Sequence, residues 1–389
     1  MIGSMLGTRR MATIATAAVA ALTLASCSSG GKSTASSAST HAAGGTSSAA
    51  APVTAASSAA APSSPGASTS SKPFDLSVTR EQACSDAVTK EGGVLNYVAG
   101  TDDDQFKKEA VGFEKMYPNI KINFTSLQPQ QAVQRVVAEE QAGHKLDIDT
   151  TYSDLPSAAP LLDKNDVLNV DWAKLGVPSD LLLTQDGVTV ARTEREVLGL
   201  TYNTNLVKPS DLPNTWQDLI NPKWAGKIIT DPRGKYLSGL GIAWGQDKAV
   251  SWFKQFLSVD KPVLVNGATA SMEKLGSGEA LLGTSAHDSE TAEQQANGLP
   301  VAIKYLDVVP TADYFAVIMK GAPHPEAAAC WFAWFVSPQG QAPRFQYEFK
   351  KNVTDPPGLP AGAQLVPINT PAQAEVATAT TNAFAKLMQ

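Results

Sequence analysis

Val94-Leu95-Asn96-Tyr97-Val98 reads as a short buried strand, and Thr101-Asp102-Asp103-Asp104 follows it at once. Thr101 with Asp104 matches a capping box, and the acids suit the positive end of a helix dipole. Phe106, Ala110, Phe113 and Tyr117 then recur at helical spacing until Pro118 ends the run. Lys121-Ile122-Asn123-Phe124 reads as a second strand, and 130–142 as a second helix ended by Gly143. Leu146-Asp147-Ile148-Asp149 leads into a third strand, with Tyr152-Ser153-Asp154 at the next turn. This β–α–β–α–β order predicts a mainly parallel sheet covered by helices.

A second run begins after Tyr202. It has a strand at Lys227-Ile228-Ile229-Thr230, helices near 237–244 and 248–257, and further strands at 263–265 and 280–283. Two such runs predict two α/β lobes facing a cleft, and residues 74–389 are numerous enough for both. No repeat of fixed period is present.

Upstream, Arg9 and Arg10 precede an apolar run over 12–24 and the tetrad Leu24-Ala25-Ser26-Cys27. Basic residues, a short apolar stretch and small residues at a cleavage point make a secretory signal. The run is too short to span a bilayer comfortably, which takes roughly 20 apolar residues. The tetrad resembles a bacterial lipoprotein box. That implies cleavage after residue 26, lipidation of Cys27 and attachment to the outer face of a membrane. Residues 27–73 are almost all Ser, Ala, Gly, Thr and Pro, too poor in large apolar groups to offset ordering entropy, and predict a disordered tether.

The formal net charge of −6 becomes −8 when Arg9 and Arg10 leave with the signal, which contains no acid. A mildly acidic chain lacks the basic face that nucleic acids require. The chain has 3 cysteines. With Cys27 lipidated, Cys84 and Cys330 remain; in an oxidising compartment they would form one disulfide or stay as two buried thiols. No C-x-x-C spacing points to zinc or thiol redox chemistry.

In open α/β sheets ligands meet the turns where strands end and helices begin. Four turns stand out. Thr101-Asp102 and Ser153-Asp154 are helix starts, where capping is the competing role. Arg233, Lys235 and Tyr236 follow the turn sequence Asp231-Pro232, and the two cations would hold an anion. Ser285, His287 and Asp288 form a polar cluster after the apolar run 280–283.

Three stretches together resemble the solute-binding component of bacterial ABC importers, in the branch that contains ferric-iron binders. The first is Gly199-Leu200-Thr201-Tyr202-Asn203-Thr204-Asn205-Leu206-Val207 with Asp211-Leu212-Pro213, Trp216, Asp218-Leu219 and Pro222-Lys223-Trp224-Ala225-Gly226-Lys227-Ile228. The second is Val265-Asn266-Gly267 with Gly278-Glu279-Ala280-Leu281-Leu282-Gly283. The third is Lys320-Gly321-Ala322-Pro323-His324-Pro325-Glu326-Ala327-Ala328 with Ser337-Pro338-Gln339-Gly340-Gln341. The resemblance implies a two-lobed periplasmic-binding-protein clamp, type II-like, each lobe a mostly parallel sheet flanked by helices. Lobe 1 would hold 89–199 and 305–325, lobe 2 would hold 203–304, and 326–389 would supply C-terminal helices packing on the lobes. It also implies a monomer that delivers a small ligand to a membrane permease.

Ferric binders of this branch place adjacent tyrosines where this chain has Ser285-Ala286-His287-Asp288. The match therefore leans toward relatives that take sugar phosphates or other small organic anions, phosphonates included. In them His287, Asp288 and Asp307 would meet sugar hydroxyls, while Thr101 and Ser153 would take the phosphate. Asp102 to Asp104 suit an amine or a cation better, which keeps that class open. Ferric iron or a ferric chelate is the alternative cargo, and a ligand sensor or an enzyme on the same fold the alternative function. No G-x-S-x-G, H-E-x-x-H or P-loop motif is present, so no enzyme, catalytic residue, cofactor or resident metal is expected.

Overall fold

A computed structural model describes residues 72–350 and 356–389. The signal segment, Cys27 and the Ser/Ala-rich run to residue 71 lie outside them. The first run of elements is α1 (Arg80–Thr89), β1 (Val94–Ala99), α2 (Asp103–Met116), β2 (Lys121–Ser126), α3 (Pro129–Gln141), β3 (Thr150–Ser153) and α4 (Leu155–Lys164). β1 pairs in parallel with β2 and with β3. The third strand starts later than the sequence suggested, so Tyr152 and Ser153 are strand residues and the turn begins at Asp154. The α2 cap also differs from the expected one: Asp102 Oδ1 accepts from Gln105 N at 2.9 Å, because the Thr101 hydroxyl is engaged with Glu348.

β4 (Leu182–Gln185), β5 (Val188–Val197) and β6 (Leu200–Asn203) follow. The second run comprises α5 (Trp216–Leu219), β7 (Ile228–Thr230), α6 (Gly239–Trp244), α7 (Gln246–Asp260), β8 (Val263–Leu264), α8 (Ala268–Ser277), β9 (Leu282–Gly283) and α9 (Asp288–Ala296). The chain then passes through β10 (Val301–Lys304), β11 (Val308–Ile318), α10 (Pro325–Phe335), α11 (Pro338–Glu348), β12 (Gln364–Val366) and α12 (Pro371–Leu387).

The strands form two sheets. One runs β2-β1-β3-β11-β5-β4 with β12 beside β11, the other β10-β6-β9-β7-β8. β5 and β11 belong to the first sheet, β6 and β10 to the second, so the chain crosses between lobes after Val197 and again before Val308. Both sheets are mixed rather than mostly parallel. Pairing is parallel within the βαβ units, but β11 lies antiparallel to β3 and β5, and β6 antiparallel to β9 and β10. A strand returning from the other lobe needs no crossover helix and enters in either direction. At the first crossing only glycine fits: a Cβ on Gly199 would stand 2.6 Å from Ile303 Cγ1 and 2.9 Å from the Lys304 carbonyl.

Each lobe has its own core. Trp331, Trp334, Phe113 and Phe332 fill the first, and α10 is buried on every side from Ala327 to Phe335, as a helix apolar all round must be. Trp216, Trp252, Phe253 and Phe256 fill the second, with Phe384 of α12 stacked on Phe253 at 4.1 Å. A disulfide joins Cys84 of α1 to Cys330 of α10, with their Cα atoms 5.0 Å apart. Among the described residues no helix is long and apolar enough to cross a membrane.

Candidate functional site

The lobes face each other across a cleft of about 560 Å³. Gly100, Thr101, Asp102 and Gln105, where β1 gives way to α2, line it with Ser126 at the end of β2. Tyr347, Glu348 and Lys350 join them from the end of α11. Glu196, next to the first crossing, and Ser289, Glu290 and Glu293 of α9 complete the lining. Two strand-to-helix turns, one per lobe, thus meet at the cleft, as the crevice rule requires.

A buried ion network backs the first side. The Arg344 guanidinium donates to Glu194 Oε2 at 2.5 Å and Glu348 Oε2 at 3.0 Å. Lys350 Nζ stands 3.2 Å from Glu194 Oε1, and Thr101 Oγ1 donates to Glu348 Oε1 at 2.8 Å. Burial acts to raise the Glu348 carboxyl, but Arg344 outweighs it and holds the group down at about 2. The neighbouring Glu109 is pushed up to about 9 by burial and by its bond to Glu348, so it is protonated at neutral pH. Burial acts to lower Lys350, and Glu194 overrides it, so the ammonium stays charged.

On the second side Ser289 Oγ donates to Glu196 Oε1 at 2.9 Å, a bond from α9 to β5. Glu290 Oε2 accepts from His287 N at 2.8 Å, and the His287 ring lies 3.5 Å from Glu290 and 4.0 Å from Glu196. Burial pulls the imidazole down, but Glu290 and Glu196 together raise it above its ordinary value. Glu196 itself is raised by burial and by Glu194.

Of the residues singled out in sequence, Thr101 and Asp102 line this cleft. Ser153 is fully buried, and Asp154 caps α4 through Ser157 N at 2.9 Å. Arg233 closes on Asp231 with three side-chain contacts instead of offering itself to an anion. Lys235 lies over the Tyr236 ring at 4.9 Å, and Tyr236 packs on His287 at 5.3 Å. Ser285 is buried, its hydroxyl without a partner among the described residues. The expected His287–Asp288 pair is split. His287 faces Glu196 and Glu290, whereas Asp288 accepts from Val197 N at 2.9 Å and lines a separate hollow with Tyr202, Lys304 and Tyr305. Asp307 is engaged elsewhere too, accepting from Trp216 N at 2.9 Å at the start of α5.

Ser289, the last residue of the turn 285–289 that the sequence marks as polar, lines the cleft, whereas Glu196, Glu290, Glu293, Glu348 and Lys350 were missed. A signal for Glu196 existed: Glu194 and Glu196 alternate along β5, which sets them on one face of a strand. Glu348 and Lys350 carried none, lying almost 250 residues from Thr101.

Two mixed sheets, two crossings and a polar cleft between the lobes define a two-lobed binding protein. The chain belongs to the bacterial extracellular solute-binding protein family, whose profile matches residues 98–342. It is 28% identical over 180 residues to iron uptake protein A1 of Synechocystis sp., a match covering 42% of this chain and 49% of that protein, about half its length. Iron-bound HitA of Pseudomonas aeruginosa superposes with a TM-score of 0.59 at 18% identity, over 76% of this chain and 99% of that one. A Trichodesmium protein solved with iron and citrate gives 0.58 at 20%, over 76% and 98%. At these identities the superpositions show the fold alone.

Proposed function

We propose that this chain is the receptor of an ABC importer, held to the outer face of the membrane through Cys27, and that it presents a small polar solute to a permease. The cleft supports the reading: hydroxyls and charges from both lobes converge on it, and a solute bound there would hold the lobes together. Ser126 is exposed at the rim, so Ser126→Trp projects into the cleft without entering a core. It is expected to weaken solute binding at least about tenfold, the equivalent of ~1.4 kcal/mol. Titration calorimetry of both forms reads this out, and unchanged affinity moves the site elsewhere. Cys27→Ala is expected to shift the protein from the membrane to the soluble fraction; retention in the membrane would mean another anchor.

The expected anionic cargo, a sugar phosphate or phosphonate, meets resistance here. The N–H groups it would use are already bonded to carboxylates, Gln105 N to Asp102 and His287 N to Glu290. Ferric iron, named for relatives, also finds poor donors. Tyr347 is the one tyrosine among the described lining residues, and Tyr152, Tyr236 and Tyr314 are not among them. Among the described residues no group of three or more His, Cys, Asp or Glu side chains is poised for a metal.

A further inference from the structure

Charge in the cleft is unequal. Asp102, Glu196, Glu290, Glu293 and Glu348 line it, and Lys350 is the one Lys or Arg among the described lining residues. Arg344, fully buried behind them, is engaged by Glu194 and Glu348 and presents no face to a solute. His287 lies 3.5 Å from Glu290 and balances it when protonated. Asp102 and Glu293 make no ion pair among the described residues, and Glu196 has only a hydroxyl at bonding distance and an imidazole at 4.0 Å. A solute entering this space therefore meets more acids than cations among the described lining residues, a bias toward positive charge.

The second observation is an ammonium group already in place. Lys350 Nζ sits on Glu194 Oε1 at 3.2 Å, and Glu194 and Glu196, two apart on β5, share a strand face. Phe349, just before it, ends α11 in the left-handed conformation at φ 58°, uncommon for a bulky residue. The walls thus hold a primary ammonium from the chain itself, paired with a carboxylate on the strand face that also carries Glu196.

We propose that the solute is a small positively charged amine, and that the Lys350 ammonium occupies and competes for the position taken by its charged end. This rests on the reading of the cleft as a solute site and goes beyond it in naming the class. It makes Lys350 a specificity-determining residue: it lowers affinity for amines and keeps Glu194 paired when none is bound.

The test is titration calorimetry of the purified chain with putrescine, spermidine, glycerol 3-phosphate and ferric citrate at low and high salt, repeated on Lys350→Met. One of the amines is expected to bind, more weakly at high salt. Lys350→Met is expected to tighten it about tenfold by removing a like charge. Glu194 keeps Arg344 in that variant, so folding is preserved; Lys350→Gln, checked by its melting midpoint, serves as the second variant. Amine affinity that falls or stays level in both variants overturns the proposal, as does absence of binding by both amines. Glycerol 3-phosphate or ferric citrate binding that Ser126→Trp blocks would overturn the amine class and leave the cleft receptor standing. Amine binding that survives Ser126→Trp would overturn both.

Discussion

Arg344→Met is expected to lower stability by about 3–5 kcal/mol, the usual cost of removing one partner from a buried ion network. Arg344 is 1% exposed, and its guanidinium answers Glu194, Glu348 and the Thr193 carbonyl while lying over the Phe335 ring at 4.6 Å. Methionine restores most of the volume and none of the charge. Glu194 is left with Lys350, and Glu348 with the Thr101 hydroxyl and the protonated Glu109. The melting midpoint should fall by roughly 5–10 °C for a fold of this size. A midpoint within a degree or two of wild type would show that the network contributes nothing net.

The pH dependence carries a second signature of the same network. Glu348 is held at about 2, below its ordinary 4.5, despite its burial, chiefly by Arg344. A carboxyl with a depressed folded value contributes stability that is present above 4.5 and lost as pH falls toward 2. The gap between wild type and Arg344→Met is therefore expected to be widest above pH 4.5 and to narrow on acidification through that window. A gap constant from pH 6 to 3 would assign the loss to packing instead.

Replacing the disulfide with Cys84→Ala and Cys330→Ala is expected to cost about 2–5 kcal/mol. The bridge closes a loop over a sequence separation of 246, so it restricts the unfolded chain strongly. It also fastens α1 to α10 at the centre of the first core. Alanine leaves two small apolar residues in buried places and no exposed polar mismatch. A thiol reductant should lower the melting midpoint of the native chain and leave that of the double variant unchanged. Equal midpoints for the two without reductant would mean the bridge adds no stability.

Local structure was legible wherever one residue type answers to its near neighbours. Phe106, Ala110 and Phe113 placed α2, Pro118 closed it, and the apolar run at 94–98 became β1. The start of α2 was misread by one residue because two adjacent oxygens competed for the cap, and a contact 247 residues away drew Thr101 out of the contest. Sheet direction was misread for a similar reason. Alternating strands and helices predict parallel pairing, but nothing local marks β11 as a returning strand that lies antiparallel to β3 and β5.

The candidate site shows the same division. His287 and Asp288 are neighbours in sequence, and the start of α9 points one at Glu196 and Glu290 and ties the other to Val197 N. Sequence by itself determined the α/β class, the two-lobed organisation and the family, because periodicity, turn residues and short motifs act within a few positions. Only the tertiary structure decided that α2, β5, α9 and the end of α11 share one cleft, with five acids and one lysine among its described lining residues. Those side chains meet through strand faces and helix ends brought together by two lobe crossings, and no property of neighbouring residues encodes such a meeting.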